Sequence, residues 1–345
     1  MRTIDSIYKV FSSNVVALLI GIVQGLIVPK ILGISEYAIL KTFALYASCI
    51  GVFSFGFVDG IYLKYGGIEL GSISKRTLKK ELLFFTSLEL SIAALLFALF
   101  LFSDSVVIFL FSIFLLGSAI RGFMGMLFQA TGRFSEFSLM NIVSPVLNFF
   151  GILIILFVLG IESAYSLIIL DISVAYISVV IFLPVLFRSV SDEKPAEKSS
   201  HNFYLIRRGF PVMLGNLASI ILLSIDRWFV KLFLLQRDFA FYSFATSMMG
   251  IVMVLVTSLA TAFYPLLVRR REEEKFLRSL KHYILILSSF AGAAYFAFDF
   301  IINWILKDYL PSLEVISTLF AGFPAIMVIN TIFVNMYKAE KVEKK

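Results

Sequence analysis

The sequence predicts an all-α polytopic membrane protein, and three observations carry that prediction. Of 345 residues, 60% are hydrophobic and only 15% are charged, with 38 Phe among them. The mean hydropathy of +0.95 exceeds what a soluble domain of this size carries without aggregating. The apolar residues fall in runs long enough to cross a bilayer as helices, joined by short polar connections. The basic residues gather on alternate connections, as expected of a chain threaded back and forth through a membrane.

Ten such runs are found, at roughly 10–32, 37–62, 81–102, 105–128, 138–159, 163–187, 209–235, 239–267, 282–302 and 313–337. The first is not followed by a small-residue cleavage site, so it reads as a retained membrane helix. Of the 30 Lys and Arg, 23 lie on one set of alternating segments, including Lys75, Arg76, Lys79 and Lys80, then Arg188 to Arg208, then Arg269 to Lys281. That asymmetry predicts a multi-pass protein of the cytoplasmic (plasma) membrane with both termini cytoplasmic. The opposite connections, such as Phe102–Ser105 and Gly160–Ser163, are tiny and acidic. They leave no room for an external catalytic or receptor domain, which argues for a transporter and not an enzyme.

The net charge of +7 suggests a nucleic-acid partner in a soluble chain, but topology accounts for it here, and none is expected. Cys49 is the single cysteine and permits no internal disulfide, and His201 and His282 are too few for a usual zinc site. No Walker motif or Gly-rich phosphate loop is present, so ATP-driven transport by this chain is not expected. No metal or cofactor is expected.

The chain also repeats itself weakly. At a shift of about 202 residues Asn14 falls on Asn216, Gln24 on Asp226, and Glu36, Tyr37 and Ala38 on Asp238, Phe239 and Ala240. The first and seventh runs therefore correspond. An even number of spans separates them, which predicts parallel repeats about an axis along the membrane normal. The expected organisation is an N-terminal lobe over 1–190 with six spans, a mixed-charge cytoplasmic linker over 191–208, and a C-terminal lobe over 209–345. The end of the fourth run (126–134) matches the end of the tenth (335–343), so the second lobe reads as incomplete, with four spans.

Charge inside a span is costly and usually functional. In the seventh run Asn216, Ser219, Leu223, Asp226 or Arg227, and Val230 or Lys231 recur at three- and four-residue spacing, which puts the polar members on about one helical face. The first run has the counterpart stripe Asn14, Ala17, Gly21, Gln24 and Val28. Two such faces suit a central hydrophilic cavity, or close helix packing with Asp226 and Arg227 neutralising partners. Lys41, Asp59, Glu89, Arg121, Asp171 and Asp299 complete the intramembrane charges. Arg121 lies too deep to snorkel and needs a carboxylate, such as Asp59, or water. The candidate cavity residues are Asn14, Gln24, Arg121, Asn216, Asp226, Arg227 and Lys231, of which the cations suit phosphate.

These residues carry a family resemblance. FSSNVVALLIGIVQGLIVPKILGISEYAILKTF near the start resembles the opening helix pair of the O-antigen (Wzx-type) polysaccharide flippases of the MOP (multidrug/oligosaccharidyl-lipid/polysaccharide exporter) superfamily. Residues 210–267 are similar to the opening of their second lobe, with an Asp-Arg pair, an aromatic-Ser-aromatic-Ala element and a terminal Pro. The resemblance implies a MATE-like two-lobed helical bundle around a central cavity, here with about ten helices where relatives have twelve or more. It implies flipping of a polyprenyl pyrophosphate-linked oligosaccharide by alternating access, with Arg121, Arg227 and Lys231 as the positions for a cationic lumen. Membrane lipids and glycan-assembly proteins are the further partners expected. The alternative is a MATE-type cation-coupled multidrug exporter, which needs acidic residues facing the cavity. A membrane-embedded glycan polymerase or ligase is disfavoured by the missing external loop.

Overall fold

The computed structural model of the protein describes residues 19–191, 202–270 and 274–341. Asn14 and His201 lie outside the described residues. Twelve α-helices follow in order: α1 (Leu19–Ile31), α2 (Ile34–Ala47), α3 (Ile50–Phe53), α4 (Phe57–Tyr65), α5 (Lys75–Ser103), α6 (Val106–Ala130), α7 (Phe134–Leu153), α8 (Ala164–Arg188), α9 (Asn202–Phe233), α10 (Gln236–Arg270), α11 (Glu274–Trp304) and α12 (Ser312–Lys341). Seven stretches among the described residues are long and apolar enough to cross a membrane: 34–53, 75–103, 106–130, 134–158, 164–188, 202–233 and 282–304. The helices α1, α10 and α12 occupy the other three positions where the sequence predicts spans. The predicted linker is shorter on its far side, because α9 already begins at Asn202 and takes Arg207 and Arg208 into its first turns.

Packing divides the chain into two units. Among the described residues, one comprises those of 19–20 and 35–234, and the other those of 21–34 and 235–341. This division differs from the sequence lobes at two helices: most of α1 packs with the later helices, and α9 packs with the earlier ones. The expected lobes rest on a sequence pattern, whereas contacts record which faces fit, and the two need not coincide.

In the first unit, the second predicted span is not one helix. It breaks after Ala47 and again over Ser54–Gly56. Ser48 Oγ donates to the Leu45 carbonyl at 2.7 Å and Ser54 Oγ to that of Gly51 at 2.9 Å, local bonds that compete with the helical ladder. Phe55 (φ 47°) and Gly56 (φ 81°) then turn through the left-handed region. Non-helical backbone at membrane depth persists where protein buries it or a cavity faces it.

Beyond that break, α4 lies directly on α9. Gly56 and Gly60 are four residues apart, the spacing that lets membrane helices touch backbone to backbone. A Cβ on Gly209 would fall 1.9 Å from the Gly56 oxygen and 2.3 Å from the Gly60 nitrogen, and one on Gly60 would fall 2.2 Å from the Leu205 oxygen. Around this crossing Phe57 stacks on Phe85 (5.4 Å) and Phe85 on Phe123 (5.7 Å), within a core that includes Ile61, Phe128, Phe182 and Leu205.

The basic end of the unit is tied by hydrogen bonds. Buried Glu81 on α5 accepts from Lys64 Nζ and from Tyr65 Oη on α4, each at 2.8 Å. Ser74 and Ser191 form a short parallel bridge, with Lys75 N donating to the Ser191 oxygen at 3.0 Å and Ser191 N to the Ile73 oxygen at 3.1 Å. Gly132, at φ 71°, closes α6, with Arg133 N donating to the Phe128 oxygen, a six-to-one bond that satisfies a terminal carbonyl. At the opposite end Glu36 caps α8 by accepting from Ala164 N at 2.6 Å, a favourable use of negative charge at a helix N-terminus.

The second unit packs α10 and α11 against α12. Gly25 on α1 faces Met248 and Ile251, and Lys30 Nζ donates to the Ile305 carbonyl at 2.6 Å beyond the end of α11. Phe244 packs on Tyr309 with ring centres 4.5 Å apart.

Candidate functional site

A cavity of about 430 Å³ opens inside the first unit, within the range of small-ligand pockets. It is lined by the broken second span (Ile50, Gly51, Val52, Ser54), by Asp59 on α4, and by Glu89 on α5. Arg121 and Gln129 on α6, Asn141 on α7 and Asn216 on α9 complete its polar wall, and Phe85 and Phe137 supply aromatic surface. The break in the second span and the glycine crossing of α4 and α9 thus place irregular backbone, two carboxylates, a guanidinium and three amides around one space.

The bonding within this group is sparse. Asn216 Nδ2 donates to Asp59 Oδ1 at 3.2 Å. Glu89 is 0% exposed, and neither of its carboxylate oxygens has a hydrogen-bond partner. Arg121 Nε is buried without a partner as well. The pairing of Arg121 with Asp59 that the sequence allows does not form: no ion pair joins them within 4.0 Å. Leaving a buried polar group unsatisfied costs about 1–3 kcal/mol, and more for a charged one. Two such groups at one cavity wall make this space the candidate site.

The predicted site residues separate into three groups. Arg121 and Asn216 meet in this cavity. Asp226, Arg227 and Lys231 share the first unit but are not part of its lining; Arg227 lies seven residues past Ile220, the last lining residue of α9, or about 10 Å along the axis. There the Asp226 carboxylate accepts from Arg227 N at 2.8 Å, and Arg227 Nη2 donates back to the Leu223 carbonyl at 3.0 Å. The neighbouring Trp228 stacks on Tyr46 of α2 at 5.6 Å, which fixes this stretch of α9 against the unit. Gln24 belongs to the second unit, where its Nε2 is buried without a partner.

Sequence reasoning named Glu89 only as an intramembrane charge and did not assign Gln129 or Asn141 to the site. The signal that finds them is the run SCIGVFSFGFVDG at 48–60, in which Ser48, Gly51, Ser54, Gly56 and Gly60 recur every two to four residues and mark a span that breaks. Among the described residues no three His, Cys, Asp or Glu side chains come together as a metal site requires.

No family model matches the chain, and no curated protein matches it in sequence. The all-helical fold and the cavity therefore carry the functional argument.

Proposed function

We propose that the protein is a flippase that moves a lipid-linked oligosaccharide or polysaccharide precursor across the cytoplasmic membrane by alternating access. In this reading it has a MATE-like two-lobed layout, with lobes at 1–190 and 209–345 and both termini cytoplasmic. The observation that carries the proposal is Arg121, a guanidinium inside an apolar span, on the wall of a cavity, with a buried nitrogen that no protein group satisfies. A planar donor fork matches the oxygens of a pyrophosphate, and the amides of Gln129, Asn141 and Asn216 suit sugar hydroxyls. The polyprenyl chain stays in the bilayer.

The test is reconstitution with a fluorescent polyprenyl-pyrophosphoryl saccharide and measurement of its passage between leaflets. Arg121→Ala is expected to cut the rate at least tenfold while the protein elutes and melts like wild type, and Arg121→Lys to retain part of it. Equal rates in Arg121→Ala and wild type would sink the assignment.

One observation favours a second reading. Asp59 and Glu89 put two carboxylates on the same wall, which suits a cation-coupled exporter of small organic cations. In that case Arg121→Ala strengthens binding of a lipophilic cation and leaves saccharide flipping absent.

A further inference from the structure

At its basic end the first unit joins charge to apolar surface on its outward side. On α5, Arg76, Lys80 and Phe84 recur every four residues, which stacks them in one row. Arg76 and Lys80 are exposed, and so is Leu83 beside them, so the row passes from charge to apolar surface within about one helical turn. On α9, Phe203 and Arg207 stand in the same four-residue relation, and both are exposed. The two rows meet where the rings of Phe84 and Phe203 lie edge to face, with centres 6.3 Å apart. Phe203 still stays 75% exposed, so this contact is the floor of an open seam and not part of a closed core.

No acid offsets the cations along this seam. The acids of α5 are Glu81 and Glu89, both buried, and the acid of α9 is Asp226, near the far end of that helix. Glu81 is turned inward onto Lys64 and Tyr65. Glu69 is exposed, but it precedes α5 and belongs to neither row. Cations standing one turn from exposed Leu and Phe match the boundary between phosphate headgroups and acyl chains. A soluble polyanion neutralises the cations and leaves the aromatic floor wet, whereas a lipid covers both. None of these seam residues lines the cavity assigned to cargo, so the seam is a separate surface.

We infer that the seam between α5 and α9 binds an anionic glycerophospholipid of the surrounding membrane. Its phosphate is held by Arg76, Lys80 and Arg207, and an acyl chain lies over Phe84 and Phe203. The bound lipid bridges the two helices and strengthens the attachment of α9 to the earlier ones. The inference does not depend on the flippase reading.

The experiment is photolabelling of the purified full chain in detergent, with competing lipids. A phosphatidylglycerol bearing a diazirine near the top of one acyl chain is expected to label wild type within 76–87 and 203–210. Unlabelled dioleoyl phosphatidylglycerol should compete at least about fivefold better than dioleoyl phosphatidylcholine, the weight of one cation at an anionic surface, and added salt should shrink that margin. Lys80→Gln combined with Arg207→Gln should abolish the margin. Lys79→Gln combined with Arg208→Gln removes the same charge from adjacent positions outside the rows, Arg208 lying over the Tyr204 ring at 5.3 Å, and should keep most of it. The wild-type labelling map needs no variant, so a variant that misfolds does not spare the inference. Labelling confined to other segments, equal competition by the two lipids, or equal loss in the two double variants overturns it. Competition by heparin as strong as that by phosphatidylglycerol reassigns the surface to a water-borne polyanion, and stronger competition by a polyprenyl pyrophosphate reassigns it to cargo; either result also overturns it.

Discussion

Glu81 and Glu89 sit eight residues apart on α5, both within 1% of complete burial, and they live in opposite circumstances. Glu81 holds Lys64 and Tyr65, one on each oxygen. Glu89 holds nothing, and its oxygens face a unit that has left them unsatisfied beside a cavity. A buried charge with both oxygens bonded acts as a fastener, and its removal strands its partners. A buried carboxyl without partners has lost its water and gained no bond in return, so it costs the resting fold stability. The contrast teaches that burial alone does not tell a fastening acid from an unsatisfied one in a membrane bundle; the bonding partners do.

That contrast can be attacked at graded strength. Glu81→Ala should be the most damaging change, since it removes the carboxylate that both Lys64 and Tyr65 bond; breaking a buried ion pair costs about 3–5 kcal/mol, read as a collapse of the thermal midpoint in detergent. Gly209→Ala comes next, because its new Cβ meets the backbone of Gly56 and Gly60. Forcing α9 off α4 should cost about 1–3 kcal/mol, seen as lower stability and altered cross-linking between cysteines placed on the two helices. Tyr65→Phe removes a single bond to a charged acceptor and should cost about 1.5–3 kcal/mol, with Lys64 still in place. Glu89→Gln should leave the midpoint within about 1 kcal/mol of wild type or raise it. If Glu89→Gln destabilises the protein as much as Glu81→Ala does, the distinction between fastener and vacant acid is wrong. Arg227→Ala should have the smallest effect on cargo binding, since Arg227 lies outside the cavity lining.

The parts of this fold legible in the sequence were those that depend on hydropathy alone. The apolar runs fall where helices are found because a bilayer-length helix needs only composition and length. The break in the second span was harder to see, because Gly and Ser serve both close packing and helix interruption in membranes, and SCIGVFSFGFVDG fits either. Partnership was not legible at all: nothing in the residues of α9 says that Gly209 meets Gly56 across about 150 residues of chain. Of the residues singled out in the sequence, Arg121 and Asn216 line the cavity; a deep charge and a deep amide are rare, which is what drew attention to them. The stripe argument that added Asp226, Arg227 and Lys231 extended one helical face along its whole length, whereas the cavity covers only part of that face and ends at Ile220. Glu89 was passed over because α5 offers no polar stripe around it. Its meaning comes from neighbours on other helices.

The glycine crossing of α4 and α9 also sets a schedule for how the protein is made. α4 is complete once residue 65 has been synthesised, but the helix that covers Gly56 and Gly60 ends only at Phe233. At about 5–20 residues per second, the ribosome takes roughly ten to thirty seconds to supply it. During that interval a bare strip of α4 backbone stands uncovered in the nascent chain. The six helices from α2 to α7, together with α8, are therefore a late intermediate of biogenesis and not a finished half, and a pause or cut before α9 leaves the cavity without one of its walls.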